Sequence, residues 1–132
     1  MNIEEAREAC LMIKGATESF PFGEDVLVFK VMDKMFAYIA LDSKDGGEFW
    51  LNLKCDPERA IMLREQYTGI FPGYHSNKRL WNTVVIESDV PDNLIKELIQ
   101  HSVDEVIKNY RRSNRKNIII YHACQSNSHT GD

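Results

Sequence analysis

The chain has 132 residues, 43% of them apolar and 27% charged, and a formal net charge of −4. That is the size and balance of one soluble globular domain with a core of its own. No apolar run nears the roughly 20 residues of a membrane helix. No signal peptide is legible. Cys10, Cys55 and Cys124 are widely spaced with no CxxC, which points to free thiols in a reducing cytoplasm.

Charge is uneven along the chain. Residues 1–110 carry 12 Lys/Arg against 19 Asp/Glu, a net −7, and residues 111–132 carry 4 against 1, a net +3. An acidic body is poor material for duplex DNA, whose binding rests on neutralising phosphates. A local basic patch on such a body keeps anion binding open.

Asn2 is placed to cap a first helix, with Glu5 as its capping-box partner. Ile3, Ala6, Cys10 and Ile13 share one helical face, and Gly15 ends the helix. Phe20-Pro21-Phe22-Gly23 is a turn whose two rings are expected to plug the end of the core. Val26–Met32 and Met35–Leu41 form a hairpin around Asp33-Lys34, with Leu27, Phe29 and Val31 alternating against Val26, Val28 and Lys30. After the polar 42–47 loop, a strand from Glu48 to Lys54 turns Phe49, Leu51 and Leu53 towards the helices. Trp50, Asn52 and Lys54 then lie on the open face of the sheet. Trp50 beside Lys54 is a second candidate patch, with cross-strand packing as the alternative.

Asp56-Pro57-Glu58 starts a helix, with a cap, a proline at the first position and an acid in the first turn. It runs to about Tyr67, and Thr68-Gly69 stops it. Trp81–Ile86 is a strand, 88–90 a turn, and Pro91 opens a last helix to about Tyr110. Leu94, Ile95, Leu98, Ile99, Ser102, Val106 and Tyr110 make its buried face, and His101 falls off that stripe onto the solvated surface. The domain spans 1–110. Residues 111–132 form a polar tail with Arg111, Arg112, Arg115 and Lys116, a short apolar run Ile118-Ile119-Ile120-Tyr121, and an end with the composition of disorder.

One stretch concentrates binding chemistry: Phe71-Pro72-Gly73-Tyr74-His75-Ser76-Asn77-Lys78-Arg79-Leu80-Trp81-Asn82-Thr83. Pro72-Gly73 suits a tight turn, with glycine free to take positive φ. Tyr74 and Trp81 offer flat faces, Lys78 and Arg79 permanent positive charge, and His75, Asn77 and Asn82 directional hydrogen bonds. The run holds no carboxylate, so it suits an anion, a phosphate or an unstacked base. Two structural alternatives stand beside that: Trp81 as a core residue, and Asn77 and Asn82 as ties for loop backbone.

The same stretch resembles the signature of the MmcQ/YjbR family of small bacterial proteins, roughly Pro-Gly-Tyr-His-Met-Asn-Lys, two residues, then Trp-Asn-Thr-Val. The chain departs from it at Ser76, where Met is usual, and at Leu80, where His is common. Phe20-Pro21-Phe22-Gly23, Phe29-Lys30-Val31, Lys34-Met35-Phe36-Ala37 and Lys54-Cys55-Asp56-Pro57-Glu58 fit the family in order, so the likeness runs from about Ile3 to Tyr110. It implies a frataxin-like, CyaY-like fold. A DNA-binding role is attached to the family.

No GxGxxG, P-loop, HExxH, EF-hand or GxSxG motif occurs. His122-x-Cys124 with His75 or Cys55 matches no usual zinc spacing, so no metal and no cofactor are expected. Cys55 before a helix cap is a position that can lower a thiol pKa, with an ordinary strand-end cysteine as the alternative. His75 is the one general base in the signature and has no local nucleophile or carboxylate.

The expectation is an α+β two-layer fold, a twisted antiparallel sheet with helices on one side, in the order α-β-β-β-α-β-β-α. Its expected role is a non-enzymatic module binding nucleic acid or another phosphate-bearing anion through Tyr74, His75, Asn77, Lys78, Arg79, Trp81 and Asn82, with Trp50 and Lys54 as a secondary patch. The alternative is a protein-interaction domain using the open sheet face or the Ile118–Tyr121 strip. No membrane partner is expected.

Overall fold

A computed structural model describes residues 1–41, 48–73 and 76–113, with side-chain detail to Tyr110. The elements in chain order are α1 (Ile3–Leu11), β1 (Thr17–Ser19), β2 (Val26–Val31), β3 (Lys34–Ala40), β4 (Trp50–Lys54), α2 (Pro57–Gln66), β5 (Ile70–Pro72), β6 (Trp81–Val85) and α3 (Asp92–Ser113). The strands form one antiparallel sheet in the order β1-β2-β3-β4-β6-β5. All three helices pack on one face of it, giving the expected two-layer α+β architecture. The short edge strand β1 is an addition: Thr17–Ser19 pairs with Val28–Lys30, where the sequence reads as a connection between helix and turn.

Helix starts follow local chemistry. The Asn2 side chain accepts from the Glu5 amide at 2.8 Å, and Glu5 Oε1 accepts from the Asn2 amide at 3.0 Å, completing the capping box. Asp56 caps α2 by accepting from the Arg59 amide at 3.1 Å, and Pro57 sits where its missing N–H costs nothing. The β2–β3 hairpin turns at Met32-Asp33, one residue before the expected pair. Both residues have positive φ, 51° and 64°, as the right-handed twist of a two-residue hairpin demands.

The core lies between the sheet and the helices. Ala6 and Cys10 from α1, Ala60 and Leu63 from α2, and Ile95, Leu98, Ile99, Val103 and Val106 from α3 meet Leu27, Phe29, Val31, Ile39, Leu51, Leu53 and Val84 from the strands. A bulge in β3 lets Phe36 and Ala37 both point inwards, because the register passes from Phe29↔Ala37 to Lys30↔Met35. The bulge frees the Phe36 carbonyl, and Ser102 satisfies it. Ser102 Oγ donates to that oxygen at 2.5 Å and accepts from the Lys54 amide at 2.9 Å, tying α3 to β3 and β4.

Several expectations change here. Phe20 and Phe22 do not plug the core: they are 51% and 73% exposed, because β1 carries the chain out along the sheet edge before them. The core is closed instead by residues such as Ala16, Leu41 and Phe49. His101 is not a plain solvated histidine. It is half-buried, and its Nε2 accepts from the Asp56 amide at 3.1 Å. Cys55 is not activated: burial pushes its thiol up to about 11, and that of Cys10 up to about 12. The last helix continues past Tyr110 to Ser113. The 42–47 loop, Cys124, His122, the Ile118–Tyr121 strip and the end beyond it lie outside the described residues.

Candidate functional site

The strand register places the two candidate patches on one surface. Trp50, Asn52 and Lys54 alternate onto the face away from the helices, where β6 sets Val85, Thr83 and Trp81 directly opposite them. Lys54 therefore faces Trp81 across adjacent strands. On the other side of β4, Tyr38 pairs with Asn52, and across β6, Phe71 pairs with Thr83.

Two ring pairs reach over intervening strands. Tyr38 on β3 and Trp81 on β6 bring their ring centroids to 5.7 Å across β4, and Trp50 on β4 meets Phe71 on β5 edge-on at 5.1 Å across β6. Strands two apart are separated by roughly 9.6 Å, so each pair must lean inwards over the strand between. The rings thereby roof Asn52 and Thr83, which are 1% and 0% exposed. Beneath them Thr83 Oγ1 donates to Asn52 Oδ1 at 2.6 Å, and Asn52 Nδ2 donates to the Tyr38 and Trp50 carbonyls at 3.4 and 3.3 Å. Buried polar groups are thus satisfied inside the face, and aromatic surface is presented outside it.

The loop between β5 and β6 is built to hold its cations outwards. Asn77 Oδ1 accepts from the Arg79 amide at 2.9 Å and the Leu80 amide at 3.3 Å, capping a single turn over 78–80. Lys78 and Arg79 on that turn are exposed. Tyr38 Oη donates to Ser76 Oγ at 2.9 Å, joining the loop to the aromatic face. Gly73 does not take positive φ, contrary to the tight turn expected at Pro72-Gly73. Pro72 instead ends the edge strand β5, opposite Asn82. Glycine is required at 73 by close approach: a Cβ there would lie 2.6 Å from Ser76 Oγ, 2.8 Å from Trp81 Cβ and 3.0 Å from the Trp81 carbonyl oxygen.

Arg64, on the last turn of α2, locks this loop from the helix side. Its Nε donates to Asn82 Oδ1 at 2.7 Å, and its terminal nitrogen donates to the Lys78 carbonyl and, at 3.4 Å, to the Trp81 carbonyl. Asn82 also donates to the Ala60 carbonyl at 3.5 Å and is 3% exposed. Of the residues singled out in the sequence, the register sets Lys54 opposite Trp81 with Lys78 and Arg79 on the turn leading into Trp81, while Trp50 lies at the other end of β4, opposite Val85 and against Phe71. Asn77 is spent on its own turn and Asn82 is buried on the helix side. Tyr74 and His75 lie outside the described residues. Tyr38 and Arg64 are the residues that sequence reading missed. Nothing in a strand-like Met35–Leu41 or in the last turn of a helix marks them as neighbours of the loop that follows β5.

The electrostatics at this end are mixed. Burial lowers the Lys54 pKa while the nearby Glu105 carboxylate opposes that shift. Burial raises that of the Tyr38 hydroxyl, against a lowering from its bond to Ser76. Among the described residues no group of three or more His, Cys, Asp or Glu side chains is placed to hold a metal ion. No described helix is long and apolar enough to cross a membrane.

The YjbR family's sequence profile matches residues 11–104, which include α2, every strand and most of α3. The chain belongs to the YjbR family. It is 30% identical over 115 residues to YbdF of Escherichia coli O157:H7, covering 87% of this chain and 92% of that one. It is 28% identical over 120 residues to YjbR of Escherichia coli K12, covering 90% and 98%. Both relatives are described as uncharacterized. The crystal structure of the Deinococcus radiodurans protein DR2400 superposes with a TM-score of 0.75 at 35% identity, covering 88% of this chain and 86% of that one. A Pseudomonas syringae protein superposes at 0.68 with 26% identity, covering 77% and 96%. Family membership fixes the fold and leaves the activity to be argued from the surface itself.

Proposed function

We propose that this YjbR-family chain is a non-enzymatic binding module for phosphate-bearing chains, single-stranded nucleic acid above all. The site is the Lys54–Trp81 end of the open sheet face with the adjoining loop. This reading is supported by exposed Lys78 and Arg79 on the turn that leads into Trp81, whose ring meets Tyr38 and whose strand position pairs with Lys54. Single strands need such a pairing, since aromatic rings stack on splayed bases and cations track the backbone. Tyr74 and His75 complete the proposed set from the same loop. The net −7 of residues 1–110 makes duplex binding unfavourable and limits the site to weak, local, salt-sensitive contacts. Two free, buried cysteines are consistent with work in a reducing cytoplasm.

A fluorescence-anisotropy titration of labelled single- and double-stranded oligonucleotides tests this at two salt concentrations. Single strands bind weakly at low salt and lose affinity steeply as salt rises, and Lys78→Glu/Arg79→Glu nearly abolishes the signal. No change in anisotropy at low salt with protein in large excess overturns the proposal.

A second reading, a protein-interaction domain, is favoured by one specific observation: Phe20 and Phe22 are 51% and 73% exposed beside the edge strand β1. Exposed aromatic rings next to a strand edge suit a peptide dock. A pull-down from native lysate with and without nuclease separates the two. Partners that survive nuclease and are lost on Phe20→Ser/Phe22→Ser support it.

A further inference from the structure

One row of side chains across the open face carries its charge. β1 pairs Thr17 with Lys30, and β2 pairs Lys30 with Met35. At the bulge, Ser102 Oγ bridges the Phe36 carbonyl and the Lys54 amide, so Lys54 stands level with Met35-Phe36. Lys54 pairs in turn with Trp81. Lys30 alternates with the inward Leu27, Phe29 and Val31, so its side chain leaves on the same face as that of Trp81. Lys30, Met35, Lys54 and Trp81 are all partly exposed.

Glu18 is the one acid within any described strand, and it faces α1, where Arg7 Nε donates to it at 2.8 Å. The described strands therefore put two lysines and no carboxylate on the open face. Away from this row the face changes character. Val28, Asn52 and Thr83 are buried, and beside Trp50 the Glu48 carboxylate accepts from the indole Nε1 at 3.4 Å. None of Lys30, Lys54, Lys78 and Arg79 forms an ion pair among the described residues, and Glu105 attracts Lys54 without pairing with it. Lys30 on β2 and Trp81 on β6 are three strand spacings apart, roughly 14 Å.

We propose that a bound single strand crosses the sheet along this row, perpendicular to the β-strands, with Lys30 as a phosphate contact at its far end. Lys78 and Arg79 hold the near end, Trp81 and Tyr38 take a base, and Lys54 holds the middle. Met35, between the two lysines, gives a pliable apolar surface for a second base. The ligand is then an oligonucleotide and not a mononucleotide. A row of roughly 14 Å spans about four phosphates of a stacked strand at roughly 3.4 Å each, and fewer of an extended one. The path rests on the single-strand reading of the Lys54–Trp81 end and extends that site to β2.

Anisotropy titrations of a labelled oligothymidylate over a series of salt concentrations test the path, with Lys30→Met, Lys30→Arg and Lys96→Met beside the native chain. Lys96 is exposed on α3, in the helix layer, and its loss changes the net charge by the same amount. Lys30→Met should weaken binding at low salt and lower the salt slope by about 0.7, the share of one phosphate contact on a single strand. Lys30→Arg and Lys96→Met should keep the native slope. Thymidine monophosphate at the same phosphate concentration should displace the oligonucleotide poorly. A native slope in Lys30→Met, an equal loss in Lys96→Met, or equally effective displacement by the monophosphate overturns the path and leaves the loop site standing. No binding by the native chain overturns both.

Discussion

The Nε of Arg64 donates to Oδ1 of buried Asn82 at 2.7 Å, joining the last turn of α2 to the start of β6. The same guanidinium holds the carbonyls of Lys78 and Trp81, so one side chain fixes both ends of the turn that displays Lys78 and Arg79. The loop's shape is therefore set from the helix layer.

Removing either partner should cost stability. Arg64→Ala strips the donor from the side-chain oxygen of buried Asn82, while the Trp81 carbonyl keeps the Gly73 amide and the Lys78 carbonyl is open to water, a loss of about 2 kcal/mol by the usual penalty for a buried unsatisfied group. Asn82→Ala should cost a similar amount, and either change should lower the melting temperature by roughly 5 °C. Arg64→Lys should recover little, because a single ammonium cannot reproduce the spread of the guanidinium Nε and terminal nitrogen over these acceptors. Calorimetry of the three variants checks this; unchanged melting in Asn82→Ala would mean that the amide is not structural.

Gly73→Ala should be harmful although its backbone is not left-handed. The added methyl meets the Trp81 backbone and Cβ at 3.0 and 2.8 Å, groups that cannot rotate away. Overpacking of this kind typically costs about 1–3 kcal/mol. The loop must shift, so the Trp81 indole fluorescence should change along with the melting temperature. An alanine variant with native emission and native melting would refute the close approach.

Ser102→Ala should lower stability by about 2 kcal/mol, since it strips a donor from the Phe36 carbonyl and an acceptor from the Lys54 amide at a fully buried site. Hydrogen exchange should quicken at the Lys54 amide first. Exchange that stays slow there would contradict the assignment.

His101 should make stability fall on mild acidification. Burial, then the Arg59 charge, holds its pKa below the ordinary 6.5, while Glu105, Asp104 and Asp56 oppose the shift. The unfolded chain therefore takes up the proton first. Its contribution is fully present above about pH 6.5 and is lost as the pH falls through the lower folded-state value. Protonation also removes the Nε2 lone pair that accepts the Asp56 amide. Urea titrations at pH 7.5 and 5.5 should show a smaller loss for His101→Gln than for the native chain. Equal losses would rule the histidine out.

How far the sequence goes depends on the range of each interaction. The Asn2–Glu5 capping box, the Asp56-Pro57 start and the inward set Leu51 and Leu53 were legible because caps and alternation are decided within a few residues. The Lys54–Trp81 pairing was half legible. Each residue stood out, but their adjacency required the register. The hold of Arg64 on Asn82, the bond from Tyr38 to Ser76 and the seat of Ser102 on a bulge carbonyl were not legible, since each joins elements far apart in sequence. Phe20 and Phe22 misled for the complementary reason. Large rings are usually buried, but an unforeseen edge strand carries these two outwards.

The most direct test of the proposed site is a two-dimensional amide titration of the full chain with a short single-stranded oligonucleotide at low salt. The account predicts shifts concentrated at Lys54, at Lys78 to Trp81 and at the indole N–H of Trp81, reversed by added salt. Shifts confined to other surfaces, or none with oligonucleotide in large excess, would contradict it.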